Sequence, residues 1–500
     1  MKKTKVFVAT IILASLVSVT AAETKPNIVF LFADDQRADT IGAHGNPHIQ
    51  TPNLDRLATS GFSFRKNFCA GSFSGAVCVA SRAMLMTGRH WMNIPSEKVA
   101  SDWKQLPLLP AVLESEGNYR TFIIGKWHNG KATLRKAFSS GRSVYMGGMA
   151  NHADFKVQDL IDGELSPKRH AGGFSTSVFA DAAVDFIEAA DSDQPFFLYV
   201  AFTAPHDPRN PPDSYRRMYY DKRPPLPKNF LPQHPFVNAP QTTMGRDEGL
   251  APWPRTPEII SDQLCEYYGL VTHLDEQVGR ILQALKDSPH ADSTYIVYTA
   301  DHGLAMGSHG LLGKQNIYEQ SMQCPLILSG PKIPQGESSD AFTYVHDTYA
   351  TVCSFAGIKP PQGVDSRDLT PLMQGSSSKI RDSVFLPFQD NQRAINDGRW
   401  KLHIYPHINH QLLFDLKSDP HEMNNLAEDA EHASEVSRLT ALMRSWRTGL
   451  GDDDPLSVDN PQPKTPVYSN SNRRLDVWQP KWIRDKYFGG RDNPDHGPGK

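Results

Sequence analysis

Runs of apolar residues that stop abruptly at polar clusters dominate the pattern of this chain. Each run is nearly continuous in apolar residues, which is typical of strands covered on both faces of a sheet. The four clearest runs span residues 27–33, 119–124, 196–202 and 293–299. Helical spacing covers residues 175–190 and 262–286, so strands and helices alternate. This alternation predicts a doubly wound α/β domain, with a large mixed sheet covered by helices.

Polar side chains follow each of these predicted strands. The four clusters are Asp34-Asp35, Gly125-Lys126-Trp127-His128, Pro205-His206-Asp207 and Asp301-His302-Gly303. Ligands of open α/β sheets bind beyond the carboxyl ends of the strands. We therefore expect the four clusters to converge on one cleft.

The chain changes character near residue 381. Short strand patterns separated by turn signals span residues 383–388, 392–396, 400–405 and 411–416, and a helical pattern spans 431–447. This predicts a small antiparallel sheet with one covering helix in residues 381–450, after a catalytic domain in residues 23–380. Residues 451–500 are polar and rich in proline, which indicates an extended tail over the surface, with disorder as the alternative.

The first residues have the pattern of a signal peptide. Basic residues near Met1 precede an apolar stretch over residues 6–19, and the small residues Thr20, Ala21 and Ala22 follow. This predicts cleavage after residues 1–22 and export to the periplasm or the medium. The apolar stretch is too short for a comfortable membrane span and no cysteine follows it, so we expect no stable membrane anchor.

Composition excludes several classes of protein. The chain has 500 residues, 39% of them hydrophobic and 21% charged, which is an ordinary globular composition. With 52 basic and 55 acidic residues the net charge is −3, so no strongly basic domain indicates nucleic acid as a partner. The five cysteines are an odd number, which leaves at least one outside any intramolecular disulfide. No Cys-x-x-Cys pair supports a structural zinc site.

The segment from Cys78 to Arg89 is the most informative stretch. Helical spacing places Ser81 and Arg82 on the same face as Cys78, and Gly88 is a suitable C-cap. Cys78 would then lie near a helix N-terminus, which favours anions. A tyrosine-phosphatase loop would need arginine where Met84 stands, so that interpretation fails. The alternative is a buried structural cysteine beside a surface arginine.

The pattern Cys-x-Ala-Ser-Arg-x-x-x-Met-Thr-Gly-Arg resembles the signature of type I, formylglycine-dependent sulfatases, in the alkaline phosphatase superfamily. Other motifs of the chain occur in the order found in that family, and they are residues 34–35, 125–128, 205–208, 300–303, 313–314, 413–420 and 424–426. The resemblance covers most of the chain and extends to carbohydrate sulfatases. One departure is Ala80, where the commonest form of the signature has proline.

The resemblance implies that a formylglycine-generating maturation enzyme converts Cys78 to formylglycine (3-oxoalanine), whose hydrate is the nucleophile. It also implies one divalent cation, calcium, bound by Asp34, Asp35, residue 78, Asp301 and His302. Carboxylates suit a hard cation, although each acid alone could be an N-cap or loop residue, and nitrogen is an unusual ligand for calcium.

The remaining catalytic roles also come from the resemblance. Arg82, Lys126 and Lys314 would offset the charge of the sulfuryl oxygens. His128 would deprotonate the second hydroxyl of the sulfated hydrate, which expels sulfate and restores the aldehyde. His206, with Lys314, would supply the proton of the leaving-group oxygen.

The resulting hypothesis is hydrolysis of sulfate esters on a sulfated carbohydrate. One alternative is a phosphate mono- or diester hydrolase of the same superfamily, although members with a serine or threonine nucleophile lack a convertible cysteine. Another is a noncatalytic binder of sulfated glycans with unmodified Cys78. Candidate sugar contacts are His152, Arg209 and Arg393, and for each the alternative is a role in loop structure.

Overall fold

The computed structural model describes residues 25–95, 105–191, 194–237, 245–465 and 480–489. The predicted signal peptide, residues 1–22, lies outside the described residues. Most of the predicted catalytic domain, residues 23–380, and all of the predicted C-terminal region, residues 381–450, lie within them.

The strands form one large mixed sheet and one small antiparallel sheet. The strands of the large sheet are β1 (Asn27–Ala33), β2 (Phe62–Phe68), β3 (Arg120–Lys126), β4 (Ser140–Tyr145), β5 (Lys156–Ile161), β6 (Glu164–Leu165), β7 (Arg169–His170), β8 (Phe196–Ala201), β9 (Thr294–Ala300), β10 (Leu326–Ser329) and β11 (Glu337–Tyr344). Those of the small sheet are β12 (Val384–Phe388), β13 (Gln392–Asn396), β14 (Trp400–Tyr405) and β15 (His410–Asp415).

The α-helices are α1 (Pro52–Thr59), α2 (Val77–Thr87), α3 (Leu109–Gly117), α4 (Lys131–Ala137), α5 (Ser175–Glu188), α6 (Asp213–Asp221), α7 (Pro257–Asp287), α8 (Glu319–Met322), α9 (Asp347–Phe355), α10 (Thr370–Met373), α11 (Ala433–Leu450) and α12 (Lys481–Phe488). Helix α7 is the longest of them. Its start follows from Pro257 at the first helical position and from Thr256, whose hydroxyl accepts the N–H of Ile259 at 3.3 Å.

Strand β1 lies inside the large sheet, whose order is β11-β2-β10-β9-β1-β8-β3-β4-β5-β6, with β7 paired to β5. It runs parallel to both neighbours, β8 and β9. Every residue of β1 is buried, and because alternate side chains point to opposite faces, both faces of the sheet are covered. The predicted α/β class is therefore confirmed, with a sheet that is mixed because β10 is antiparallel to β9 and to β2.

The covering helices form two groups. Helices α1, α5 and α6 pack against α7, whereas α2, α3, α4 and α9 pack with one another. None of the helices in the described ranges is long and apolar enough to cross a membrane.

The small sheet has the order β12-β13-β14-β15, and α11 packs on β13 and β14. The sequence predicts this sheet and its helix correctly. Hydrogen bonds join it to the large domain, because the N–H of Ser72 donates to the carbonyl of Pro387 at 3.0 Å and the N–H of Gln389 donates back to Ser72 at 2.7 Å. The small sheet therefore contacts the segment that leads into α2.

The tail departs from its predicted extended form at α12. This helix lies in residues 480–489, and its Lys486 ammonium is 2.8 Å from the Asp262 carboxylate of α7. The hydroxyl of Tyr487 donates to the same carboxylate at 2.5 Å. A short helix of mixed polarity held by such tertiary contacts leaves only a weak periodic signal in the sequence. Residues 466–479 and 490–500 of the tail lie outside the described residues.

Candidate active site

The ends of β1 and β9 bring three carboxylates together. Ala33 and Ala300 are register partners, so Asp34 and Asp35 leave one strand beside Asp301 of the next. One oxygen of Asp301 accepts the N–H of Asp35 at 2.9 Å and that of His302 at 3.0 Å. The convergence that the sequence predicts for these two strand ends is present in the structure.

Helix α2 delivers Cys78 to the same place. Cys78 is the second residue of the helix, and Gly88 ends it in the left-handed conformation, with φ 64°. The hydroxyl of Ser81 donates to the carbonyl of Asp301 at 2.7 Å, which ties the helix to the end of β9. Cys78 is buried and lies with Asp35, Asp301 and His302 in one group whose ligand atoms are all within 4.8 Å of one another.

The donor atoms of this cluster fit a cation. A second group of the same compactness contains Asp34, Asp35, Cys78 and His206. Among the described residues, Asp34 Oδ1, Asp301 Oδ2 and His302 Nε2 are buried without a hydrogen-bond partner. Buried polar atoms left unpaired are costly, so three of them in one cluster fit a site that could hold a metal ion. Three carboxylates with one imidazole favour a hard divalent cation.

Two basic groups adjoin Asp34. The Lys126 ammonium forms a buried ion pair with its carboxylate, and the guanidinium of Arg82 lies 3.5 Å from it. Arg82 also donates to the carbonyl of Lys126 at 3.1 Å and lies over the ring of Phe32. Burial would raise the pKa of Asp34, but the ammonium of Lys126 and the guanidinium of Arg82 lower that pKa to about 2. Asp34 is therefore ionised, as a metal ligand must be.

Lys314 and His206 adjoin Asp35. The Lys314 ammonium lies 2.8 Å and 2.9 Å from the two Asp35 oxygens and 3.5 Å from the Cys78 sulfur. His206 Nε2 is 3.8 Å from the same carboxylate, and His206 Nδ1 donates to the carbonyl of Asp207 at 2.8 Å. Burial alone would lower the pKa of His206, but the charge of Asp35 raises it to about 9.

His128 has the opposite electrostatic environment. Burial and the nearby charges of Lys126 and Arg82 lower its pKa, against a hydrogen bond with the Cys78 sulfur that raises it. His128 has φ 66°, so the backbone turns sharply at the end of β3. The surroundings of His206 and His128 thus drive their pKa values in opposite directions. Burial would lower the pKa of His302, which also adjoins Cys78, but Asp301 and Asp35 raise it to about 9. Pairs of groups whose pKa values are driven apart are typical of acid and base partners.

The positive charges around the cluster also act on Cys78. Burial would raise the pKa of its thiol, but the ammonium groups of Lys126 and Lys314 bring it well below its usual value. An anion is stabilised at this position, at the start of α2. The site can therefore hold negative charge on a bound group and on residue 78.

The family model described as Sulfatase matches residues 26–358, and one described as N-sulphoglucosamine sulphohydrolase, C-terminal, matches residues 307–448. This chain belongs to the sulfatase family. The members of that family are sulfuric ester hydrolases, so this sulfatase is an enzyme.

Two relatives match along nearly the full length of the sulfatase. It is 26% identical over 538 residues to the N-acetylglucosamine-6-O-sulfatase of Bacteroides thetaiotaomicron, with 93% of each chain covered. It is 28% identical over 509 residues to the N-acetylgalactosamine-6-sulfatase of Canis lupus familiaris, which covers 92% of this chain and 88% of the relative. A solved structure in complex with D-glucosamine-2-N,6-O-disulfate shares the fold, with a TM-score of 0.73, 24% identity and coverage of 87% of this chain and 99% of that one.

The site of the sulfatase contains all the residues predicted for catalysis and metal binding. His152, which the sequence predicts as a sugar contact, has a different environment. Its Nδ1 lies 2.8 Å from the Ser175 hydroxyl and its Nε2 lies 2.9 Å from the carbonyl of His206. Both ring nitrogens are thus engaged within the protein, and the side chain is buried. The prediction that His152 binds sugar is corrected, since the residue supports the backbone of His206.

Arg393 also requires a correction. Its guanidinium donates to both Asp452 oxygens at 2.7 Å and 2.9 Å, to Asp454 at 2.7 Å, and to the carbonyls of Gln389 and Gln392. The side chain is 1% exposed. These bonds use the donors of the group, so Arg393 joins β13 to residues 452–454 and leaves no donor for a glycan.

Arg209 retains the capacity that the sequence predicts for it. Its Nη1 donates to Gln263 at 2.8 Å, whereas its Nε and Nη2 have no hydrogen-bond partner among the described residues. The side chain is 2% exposed, and its charge adds to the larger effects of Arg246 and His206, which despite burial hold the pKa of Asp207 well below its usual value. A role of Arg209 in substrate binding stays a prediction.

Sequence reasoning missed four residues near the site, which are Arg246, Asp247, Glu248 and Gln315. Their contacts join distant loops, since Asp207 lies 39 residues from Arg246 and Asp247 lies 68 residues from Gln315. No motif or periodicity marks such contacts, so only the tertiary structure reveals them.

Proposed function

We propose that this protein hydrolyses sulfate esters of a carbohydrate, with Cys78 converted to formylglycine and with one bound calcium ion. One observation carries the proposal. Cys78 lies in a buried cluster with the carboxylates of Asp35 and Asp301 and the imidazole of His302, and an ammonium group adjoins its sulfur. This cluster thus combines a candidate nucleophile with a candidate cation site, and the ammonium group adds positive charge that can stabilise a bound anion.

In the proposed active form, residue 78 supplies the attacking hydroxyl of an aldehyde hydrate, and the cation supplies positive charge beside the sulfate oxygens. The residues that would hold the cation are Asp34, Asp35, Asp301 and His302. In the described part of the chain, Asp34, Asp301 and His302 each have one buried oxygen or nitrogen atom without a hydrogen-bond partner, which supports this assignment.

The other basic groups would bind the sulfate itself. Arg82 and Lys126 bring two positive charges to the same cluster, and Arg82 Nε and Nη2 have no hydrogen-bond partner within the described chain. Donors fixed before the substrate arrives stabilise developing charge without reorganisation. The burial of both side chains strengthens these interactions, because water screens them little.

The two histidines would take the proton-transfer roles. Despite burial, the charge of Asp35 raises the pKa of His206 to about 9, which favours the protonated ring, and Nε2 lies 3.8 Å from that carboxylate while Nδ1 donates to the carbonyl of Asp207. Because the pKa of His128 is lowered, its ring is neutral and can accept a proton. These states support His206, with Lys314, as the acid toward the leaving oxygen and His128 as the base.

The names of the relatives support a carbohydrate as substrate. Those covering most of this chain include sulfatases of N-acetylglucosamine and N-acetylgalactosamine. The signal-peptide pattern of residues 1–22 supports an exported enzyme, periplasmic or secreted, that meets its glycan outside the cytoplasm. Conversion of Cys78 also requires a maturation enzyme as a partner, which would have to accept Ala80 in the signature.

The test measures sulfate released from a panel of sulfated monosaccharides, glycosaminoglycan fragments and algal polysaccharides. Wild-type protein should release sulfate, and Cys78→Ala should release none while retaining its thermal unfolding profile. A phosphate monoester and a phosphate diester serve as competing substrates. Faster turnover of either phosphate ester than of every sulfate ester would overturn the proposal in favour of the phosphoesterase alternative.

A further inference from the structure

Three consecutive residues connect the two loops that carry the proposed leaving-group residues. They are Arg246, Asp247 and Glu248, at the start of a short 3₁₀ helix over Asp247–Leu250. None of them belongs to the motifs of the sequence analysis, and each makes a separate connection.

Arg246 holds the loop of His206. Its guanidinium binds the carboxylate of Asp207 with two hydrogen bonds, at 2.5 Å and 2.8 Å. Asp207 in turn contacts His206 Nδ1 through its carbonyl at 2.8 Å and its carboxylate at 3.3 Å. A bidentate arginine fixes both the place and the plane of the carboxylate. Arg246 therefore determines the orientation of the His206 ring through Asp207.

Asp247 holds the loop of Lys314 from one side. Its carboxylate accepts the side-chain amide of Gln315 at 2.9 Å, and the other end of that amide accepts the N–H of Lys314 at 3.2 Å. The same amide nitrogen also donates to the carbonyl of Gly75 at 2.9 Å, near the start of α2. Arg246 pairs with Asp247 as well, so the two loops share one ion-pair network.

Glu248 holds the loop of Lys314 from the other side. Its carboxylate accepts the N–H groups of Leu312 at 2.9 Å and Gly313 at 2.8 Å, just before Lys314. The guanidinium of Arg255 lies 2.6 Å from the same carboxylate. Glu248 is 1% exposed and Arg255 is fully buried. A buried charge with all its partners in place is costly to displace, so this segment is held rigidly.

We propose that Arg246, Asp247 and Glu248 are positioning residues that set the place of His206 relative to Lys314 and thereby control protonation of the leaving oxygen. The inference rests on the proposed sulfatase function and adds a distinction between two classes of sulfate ester, those of sugars and those of acidic phenols. The oxygen that departs with a sugar must gain a proton as its bond to sulfur breaks, because an alkoxide is a poor leaving group. A phenolate with electron-withdrawing groups departs without that proton. The segment should therefore matter for sugar sulfates and much less for activated aryl sulfates.

The test compares Arg246→Lys and the milder Asp247→Asn with wild type on aryl sulfates of graded phenol acidity and on a sugar sulfate. General acid catalysis contributes about 10²–10⁴-fold. We expect kcat of both variants to fall at least about tenfold on the poorest leaving groups, within that range, and to change little on the best. The dependence of log kcat on phenol acidity should thus become steeper.

Arg381→Lys is the matched control, because Arg381 forms a comparable buried bidentate pair with Asp347 outside the site. A merely structural loss lowers the active fraction equally for all substrates. The plot of log kcat against phenol acidity for Arg381→Lys should therefore run parallel to the wild-type plot. If the plots for both Arg246→Lys and Asp247→Asn ran parallel to that of an active wild-type enzyme, the inference would be overturned and the proposed function would stand. A wild-type protein that releases sulfate from no ester would overturn the proposed function and the inference together.

Discussion

The ammonium group of Lys314 donates a hydrogen bond to the sulfur of Cys78, at 3.5 Å. The same ammonium pairs with both oxygens of Asp35, so one side chain connects the proposed nucleophile to the proposed cation site. Lysine at this position can act on the attacking residue, the sulfate and the leaving oxygen.

Removal of this charge should therefore affect turnover strongly. We predict that Lys314→Gln lowers kcat by about 10²–10³-fold, the loss typical of one preorganised charge donor. The control is Lys401→Gln, since Lys401 is also a buried lysine with acidic partners, Glu319 and Glu422, but lies in the small sheet. Lys401→Gln should lower the stability of the protein and leave the kcat of the folded fraction near that of wild type. Equal kcat losses in the two variants would contradict the prediction.

The carboxylates at the ends of β1 and β9 should determine metal content. We predict that Asp301→Asn reduces the calcium found by elemental analysis from about one ion per chain to a small fraction. Chelation of the wild-type protein should abolish activity, and added calcium should restore it. Asp390→Asn removes an acid that is 62% exposed and should leave the metal content unchanged. A full complement of calcium in Asp301→Asn would show that the ion binds elsewhere.

Gly148 controls the space beside His128. A Cβ at position 148 would lie 2.5 Å from His128 Nε2, so Gly148→Ala must displace the imidazole or the loop. We predict a fall in kcat of roughly tenfold, with a change in unfolding free energy below about 1 kcal/mol. Gly449→Ala is the control, because a Cβ there meets no atom within 4 Å. If Gly148→Ala kept full activity, close approach of the loop to His128 would have no catalytic role.

His152 and Arg209 should differ in their effect on substrate choice. Because His152 supports the carbonyl of His206, His152→Ala should slow a glycan sulfate and a small aryl sulfate by similar factors. Arg209 has two donor atoms without a hydrogen-bond partner among the residues that the structure describes, so Arg209→Ala should damage turnover of an anionic glycan far more than that of the aryl sulfate. Steady-state kinetics on both substrates decides this. An equal loss for Arg209→Ala would remove it from the substrate site.

The pair of Arg381 and Asp347 should make stability depend on pH. Burial would raise the pKa of Asp347, but the Arg381 guanidinium lowers it. A carboxyl whose pKa is lowered in the folded state contributes stability above its unfolded value of about 3.9 and loses it as pH falls through the folded value. We predict that Arg381→Met costs about 3–5 kcal/mol at neutral pH. The difference from wild type in denaturant unfolding should shrink steadily toward pH 3, and a constant difference would contradict this account.

Local pattern was sufficient to predict the framework of the site. Continuous apolar runs end at Asp34 and at Asp301 because buried strands exclude charge until they leave the sheet. The spacing of Cys78 and Arg82 predicts one helix face, and Gly88 ends that helix as expected. These features depend on neighbours in the sequence, which is why the fold class and the main residues could be predicted.

Contacts between distant segments could not be predicted in this way. The sequence gives no sign that Arg393 pairs with Asp452, 59 residues away, or that His152 contacts His206, 54 residues away. A polar side chain in a loop has the same pattern whether it faces a glycan or another loop. Lys126 shows a smaller difference of this kind, since it is the last residue of β3, whereas the sequence predicts a strand that ends at residue 124.

The central claim is that residue 78 of the active protein is an aldehyde, and mass spectrometry tests it most directly. Trypsin should release residues 67–82, a peptide that contains Cys69 as well as Cys78. After denaturation and alkylation of enzyme from its native host, this account predicts one alkylated thiol, at Cys69, and an aldehyde at position 78 that reacts with a hydrazide probe. Two alkylated thiols and no aldehyde in fully active protein would contradict it.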